Sequence, residues 1–302
     1  MGRQYKSGRG DPRPRGGGGP RGGPHGRAAR GPQPPAATAW DHVASWYDKL
    51  VGDEGSDYHR NVILPAAMRL LEPKKGERLL DLACGQGVFT RLLAQVEPAL
   101  VLAVDASPKL IAAAKFRGAG PALRSLGGAG PNVRFVVADA GKLGDLADGS
   151  FDGAAMLMAV QDIDPIEPVF RELARALRVG GRAVIIMMHP CFRVPRQSSW
   201  GWDDEKCTQY RRLDRYGTPM AVPIATRPGA DPTLHTVYFH RPLAMYFAAL
   251  SAAGLAVTVL EELYSHHVSE PGGHSRGENR ARKEFPIFLA IKAIKLSLGA
   301  IK

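Results

Sequence analysis

Three acids fall at intervals that suit the tips of successive strands: Asp81, Asp105 and Asp139. The first is followed by Gly85 and Gly87, two apart. Glycines so placed let the backbone turn sharply and bring its N–H groups close to a ligand. Asp81, four residues before the first glycine, can meet a positively charged ligand group. Asp105, 18 residues beyond Gly87, can accept hydrogen bonds from both hydroxyls of a ribose, as in dinucleotide-binding corners. The same residues also fit plainer roles: an ordinary tight βα turn for the glycines, a turn or cap for Asp105. A dinucleotide fingerprint needs a third glycine where Thr90 stands, so a nicotinamide-binding oxidoreductase is the less favoured reading. Candidates for taking a proton are His189 and His240, each of which can equally be a structural histidine bonded to a backbone carbonyl.

The elements that must hold these residues alternate in type. Leu79 to Ala83 reads as a short apolar strand and Val88-Phe89 as the start of a helix. Val101 to Asp105, Val133 to Ala140, Phe151 to Met158 and Arg182 to Met188 read as four more strands. Ser107-Pro108 offers an N-cap followed by Pro at the first helical position, and Asp164-Pro165 repeats that chemistry before a stripe of Ile166, Phe170, Leu173 and Leu177. Gly180-Gly181 is expected to end that helix. The alternation is that of a parallel sheet with crossover helices, an α/β doubly wound, Rossmann-like fold. Ahead of it, Trp40, Val43, Trp46, Tyr47 and Leu50 recur at helical spacing, and a second helix is expected over about Tyr58 to Leu71, with Pro65 starting or kinking it. Packing is the expected role of Trp40 and Trp46. From His189 to His240 the periodicity lapses into an aromatic-rich, structureless stretch of the length used for lids and binding loops. An apolar helix is expected from Pro242 to Gly254, then a strand over Leu255 to Leu260, a polar loop, and a closing strand over Pro286 to Ile294.

The chain has 302 residues and a formal charge of +11. Residues 1–38 hold eight Lys or Arg against Asp11 alone, a local +7 that leaves +4 for the remainder. Rich in Gly, Pro and Arg and nearly empty of large apolar side chains, this tail cannot offset the entropy of ordering and is expected to be disordered. Arg15-Gly16-Gly17 and Arg21-Gly22-Gly23 suit contact with RNA through charge and guanidinium stacking, and a solubilising tail is the alternative. The domain division is then a tail at 1–38 and a catalytic domain at 39–302 with an acceptor-side insertion at about 189–240. No apolar run reaches the roughly 18 residues that span a bilayer. Cys84, Cys191 and Cys207 form neither a disulfide framework nor a zinc C-x-x-C, which points to a reducing, cytoplasmic setting.

Asp81-Leu82-Ala83-Cys84-Gly85-Gln86-Gly87, Asp105, Asp139-Ala140 and the Phe151-Asp152 strand together resemble the class I S-adenosylmethionine-dependent methyltransferases of the small-molecule kind, over about Trp40 to Lys295. The resemblance implies seven strands in the order 3-2-1-4-5-7-6 with the last antiparallel, and S-adenosyl-L-methionine as cofactor. It implies a cofactor site made by Tyr47, Asp81, Ala83, Cys84, Gly85, Gly87, Asp105, Ala106, Asp139, Ala140 and Met156. Asp139 would accept from the adenine amino group and the N–H of Ala140 would reach a ring nitrogen. The stretch from Met156 to Gln161 would lie beside the transferable methyl. Tyr47 either closes over the cofactor or packs an aromatic face. Ala159-Val160-Gln161-Asp162 departs from the Asn/Asp-Pro-Pro-aromatic element that methylates exocyclic amino groups. Pro190-Cys191 is not the Pro-Cys that cytosine methylation requires after the fourth strand. The implied activity is methyl transfer to an O, N or C nucleophile, favouring a small-molecule acceptor over RNA captured by the tail.

Overall fold

The computed structural model describes residues 39–118, 132–145, 149–225 and 235–297. The basic tail, and most of the Gly/Ala-rich stretch at 118–131, lie outside the described residues. Seven strands make the main sheet: β1 (Arg78–Leu82), β2 (Leu100–Asp105), β3 (Val133–Val137), β4 (Phe151–Leu157), β5 (Leu177–Met188), β10 (Leu255–Leu263) and β11 (Phe288–Lys295). Their spatial order is β3-β2-β1-β4-β5-β11-β10. The first five run parallel, and β11 pairs antiparallel with both β5 and β10. This is the topology that the motifs imply.

Strand pleating divides the core between the two faces of the sheet. Leu80 and Leu82, Leu102 and Val104, Ala154 and Met156, and Ala183, Ile185 and Met187 join one cluster. The intervening Leu79, Val101, Ala155, Val184 and Ile186 join the other. Helices α5 (Glu167–Ala176) and α6 (Leu243–Ala252) cover the first face with Phe170, Leu173, Tyr246 and Leu250. Helices α2 (Leu64–Leu71) and α3 (Val88–Ala94) cover the second with Leu70, Leu71, Phe89 and Leu93. Helix α4 (Pro108–Gly118) adds Ile111 against Ala103 and Cys84. Its cap forms as its sequence predicts, the Leu110 N–H donating to Ser107 Oγ at 3.1 Å.

Four expectations need correction. The helix expected to open at Asp164-Pro165 starts at Glu167, because the Asp164 carboxylate is taken by Arg241 at 2.6 Å instead of capping. It ends at Ala176, and the glycines at 180 and 181 fall inside β5. The stretch expected to lack structure at 189–240 holds two antiparallel hairpins, β6 (Ser198–Asp203) with β7 (Thr208–Leu213), and β8 (Met220–Ala225) with β9 (His235–His240). Their strands pair only with each other, and β6, β7 and β8 bury few side chains, so no clean alternation marks those three, whereas β9 alternates with Thr236, Tyr238 and His240 buried. The polar loop before β11 contains α7 (Ser275–Glu284), whose contact face is two small residues, Gly277 and Ala281. A Cβ on Gly277 would come within 2.7 Å of the Trp202 ring, so the hairpin seats against bare backbone. At Pro65 the second helix is preceded by a π-helical turn at His59–Ile63, the local widening that accommodates a missing donor. Among the described residues no helix is long and apolar enough to cross a membrane.

The β4–β5 face relies on Phe170, which is wholly buried. Phe170→Ala is expected to cost about 3–5 kcal/mol, read as a lower urea midpoint at unchanged slope.

Candidate active site

Strands β1 to β4 end along one edge, and the residues at or just beyond each tip line a cavity of about 640 Å³: Ala83 and Gly85 after β1, Asp105 and Ala106 at β2, Ala138 to Ala140 after β3, and several between Leu157 and Asp164 at β4. The turn after β1 is tight. Gly85 and Gly87 both have positive φ, and a Cβ on Gly87 would meet the Phe135 ring at 3.0 Å. Two wall residues that are not glycine, Ala83 at +57° and Met158 at +56°, also hold left-handed backbone, a conformation costing roughly 1–2 kcal/mol per residue. Strain of this kind collects where a site needs a particular backbone course.

The Asp105 carboxylate accepts the Gly85 N–H through one oxygen and the Ser107 N–H through the other, both at 2.8 Å. Burial raises its pKa, partly opposed by those two bonds. Asp139 is also on the wall and accepts the Gly141 N–H at 2.7 Å. Above the turn lie helix α1 (Ala44–Val51) and the 3₁₀ turn at Ala39–His42. Tyr47 sits over Gly85, whose notional Cβ would be 3.4 Å from Tyr47 Cε1, and it meets Trp40 edge to face at 5.3 Å. Trp40 and Trp46 line the cavity with it, a correction to their expected role as packing. This cover is tied down at several points. Ser107 Oγ donates to Asp41 at 2.5 Å, Arg117 pairs with Asp48 and Asp53, and Gln86 and Arg91 donate to the Gly52 carbonyl.

Of the residues implied for the cofactor, the cavity wall includes Tyr47, Ala83, Gly85, Asp105, Ala106, Asp139 and Ala140. The others lie behind it. Asp81 is buried and accepts the Thr90 hydroxyl at 2.5 Å, and burial lifts its pKa to about 7. It thus lies beneath the turn, off the cavity wall. The buried Cys84 thiol points back into the small cluster with Ala103 and Ile111, its pKa pushed well up by desolvation. Gly87 is packed under Phe135, and Met156 falls on the core face of β4, with Leu157 and Met158 taking the wall.

Neither histidine reaches the cavity. His189 Nε2 lies 3.1 Å from Glu262 and its Nδ1 accepts the Cys191 N–H at 3.2 Å, so both ring nitrogens are engaged at the β5–β11 side of the sheet. Burial holds its pKa down against the opposing pull of Glu262. His240 Nε2 donates to the Tyr216 carbonyl at 2.7 Å, securing the loop before β8 to the end of β9. Burial lowers its pKa as well.

A further titratable group that lines the cavity is Asp162, in the turn after β4. Desolvation raises it to about 8, with Gln161 Nε2 at 3.3 Å opposing. The cavity is also lined by the apolar or aromatic Leu157, Met158, Ile224, Val237, Tyr238 and Phe239, and by the polar Gln161, Asp164 and Thr236. Arg241, itself buried, donates to the Ile163 carbonyl and to Asp164, fixing the Asp162 turn to the end of β9. The available clue was an acid immediately beyond the fourth strand, in a segment notable only for the element it lacks. His59 lies on the opposite wall, its Nδ1 bonded to Ser56 Oγ at 2.7 Å and its pKa lowered by burial.

Residues 80–185 match the family described as "Methyltransferase domain". A demethylmenaquinone methyltransferase from Beutenbergia cavernae is 29% identical over 194 residues, 64% of this chain and 71% of that protein. A 2-phytyl-1,4-naphtoquinone methyltransferase from Synechococcus elongatus is 33% identical over 152 residues, 50% of this chain and 62% of that protein, which is less than two thirds of its length. Among solved structures, an S-adenosylmethionine dependent methyltransferase from Mesorhizobium loti superposes with a TM-score of 0.58 at 28% identity, covering 76% of this chain and 96% of the other. The matched segment runs from β1 to within β5 and so takes in the tips of β1 to β4 that open on the cavity. Residues 80–185 are a methyltransferase domain, and the seven-stranded sheet around them has the fold of the class I S-adenosylmethionine-dependent methyltransferases.

Proposed function

We propose that the methyl acceptor is a small, flat, largely apolar hydroxyarene of the quinol type and that Asp162 removes its hydroxyl proton. The observation that carries this reading is the buried Asp162 carboxyl, raised to about 8, beside Tyr238 in a cavity whose described lining also offers Leu157, Met158, Ile224, Val237 and Phe239. A base is most effective when its pKa lies near the working pH, and desolvation puts Asp162 there. Among the described residues, the lining holds no Lys or Arg to meet an anionic acceptor. The relatives from Beutenbergia cavernae and Synechococcus elongatus carry names of enzymes acting on naphthoquinone-type acceptors, which supports the same class. RNA as acceptor rests on residues 1–38 alone, and no feature of the cavity adds to it.

The cavity fits the cofactor on the chemistry of its donors and acceptors. Asp105 keeps unused lone pairs on both oxygens for the two ribose hydroxyls, and Asp139 with the Ala140 N–H suits the adenine edge. The strained Ala83–Gly85 turn under Tyr47 takes the amino-acid end. When bound, S-adenosylmethionine supplies a methyl group on a positively charged sulfur, an electrophile that needs alignment more than activation. The chain's own residues do the rest. Trp40, Trp46 and Tyr47 close one side against water, the β8–β9 hairpin closes the other, and the walls hold a planar acceptor. Asp162 accepts the acceptor's O–H proton, which delivers electron density to the oxygen and to the adjoining ring carbons. Holding partners in line is worth up to roughly 7–11 kcal/mol.

Three outcomes test this. Titration calorimetry should show S-adenosylmethionine and its demethylated product binding, with Asp105→Ala weakening both more than about tenfold, since hydrogen bonds to a charged group contribute about 1.5–3 kcal/mol. Given labelled cofactor, the enzyme should methylate members of a panel of reduced naphthoquinols and benzoquinols. Label appearing only in other components of a cell extract would overturn the acceptor class. On the acceptor so found, Asp162→Asn should retain cofactor affinity while losing about 10²–10⁴ in turnover. Wild-type turnover should rise with pH through about 8, because only the deprotonated carboxylate accepts a proton. His189→Ala and His240→Ala should keep that pH profile.

A further inference from the structure

Away from the cavity, Asp57, His266 and His267 bring one ligand atom each into a group whose members all lie within 4.8 Å of one another. Nε2 of His266 and Nε2 of His267 are 3.0 and 2.9 Å from the same oxygen, Asp57 Oδ2. That oxygen is shielded from solvent, yet it has no hydrogen-bond partner of acceptable direction. Two imidazole nitrogens at hydrogen-bonding distance whose N–H directions miss the acceptor are not explained by proton sharing. Three lone-pair donors crowded around one point are explained by a shared cation.

We propose that Asp57, His266 and His267 bind a divalent transition-metal ion of the zinc class. Two neutral imidazoles and one carboxylate suit such an ion better than magnesium or calcium, which prefer all-oxygen sets, or copper(I), which prefers sulfur. The supports expected around metal ligands are present. Asn61 Nδ2 donates to Asp57 Oδ1 at 2.9 Å and fixes the carboxylate's orientation. The Tyr58 ring stands edge to face against both imidazoles, at 5.3 and 5.2 Å. The Tyr58 hydroxyl lies 3.2 Å from Ser265 Oγ, and that Oγ also accepts the His267 N–H. Asp57 and His267 also line a surface cavity of about 680 Å³, together with Ser56, Tyr58 and Arg60, through which water and an ion could approach.

The ligands come from two segments distant in the sequence. One precedes the π-helical turn that carries His59 into the wall of the active-site cavity, and the other follows β10. A metal ion here joins the N-terminal cover to the far part of the sheet, a clip outside the methyl-transfer chemistry. The test uses the full-length chain freed of metal by chelation. Zn²⁺ should bind at one per chain by calorimetry, and Co²⁺ should give visible d–d absorption. At about a hundredfold excess over Kd, Zn²⁺ should raise the thermal midpoint by several degrees. His266→Ala, His267→Ala and Asp57→Asn should each weaken Zn²⁺ binding at least about a hundredfold and abolish that rise, whereas His274→Ala should change neither. Absence of stoichiometric Zn²⁺ binding, or equal binding by the site variants, would overturn the site. Because the affected side chains are half-buried or exposed, circular dichroism of the metal-free variants should match wild type, which separates lost binding from lost folding.

Discussion

One carboxylate holds the ends of two strands together. Asp105, at the tip of β2, uses both oxygens on backbone N–H groups, that of Gly85 in the turn after β1 and that of Ser107 at the cap of α4. Neither amide has a ladder partner in the sheet at that point, so without Asp105 both would be buried donors lacking an acceptor, each at a cost of about 1–3 kcal/mol. The side chain best placed to contact a ribose is thus also the one that sets the spacing of the strand tips around it. Binding and architecture cannot be separated at this position.

The same economy extends to the cover. Ser107 Oγ both caps α4 and donates to Asp41 of the N-terminal turn, while Arg91 and Arg117 reach from α3 and α4 to the loop after α1. These contacts act together with the buried Val43, Ala44 and Val51 to place Trp40, Trp46 and Tyr47. Positioning by charge-assisted bonds suits aromatic rings that must face a cavity and so cannot be buried on all sides.

The sheet is legible in the sequence because its signal is physical and repeated. Short apolar runs buried on both faces in β1, β2, β4 and β5, with caps and glycines between, leave few alternative folds. The hairpins of the insertion are not legible, because strands such as Ser198–Asp203 pair only with each other and bury little. Helix α7 escapes for a related reason, since its contact face is made of Gly277 and Ala281 and offers no apolar stripe. At the site, motif spacing leads to Asp105 and Asp139 on the cavity wall and to Asp81, Cys84 and Met156 behind it. Spacing along a strand says which residue is near the tip, and pleating then decides which face it occupies. The two histidines attract notice by their chemistry, while the acid in the cavity, Asp162, is recognisable only from its surroundings in space.

Strand β11 is the last of the sheet to be synthesised, yet it lies between β5 and β10. Until residues 288–295 have left the ribosome, β5 presents Val184, Ile185 and Ile186 along an unpaired edge, and β10 has no partner among the described strands. Local pairing cannot close the sheet early, because the closing strand begins only at Phe288 whereas β5 ends at Met188. A nascent chain halted before Phe288 therefore carries two open edges, the condition under which strands pair with the wrong neighbour. The protein's vulnerability during synthesis is concentrated in its final eight-residue strand, far from the chemistry and indifferent to it.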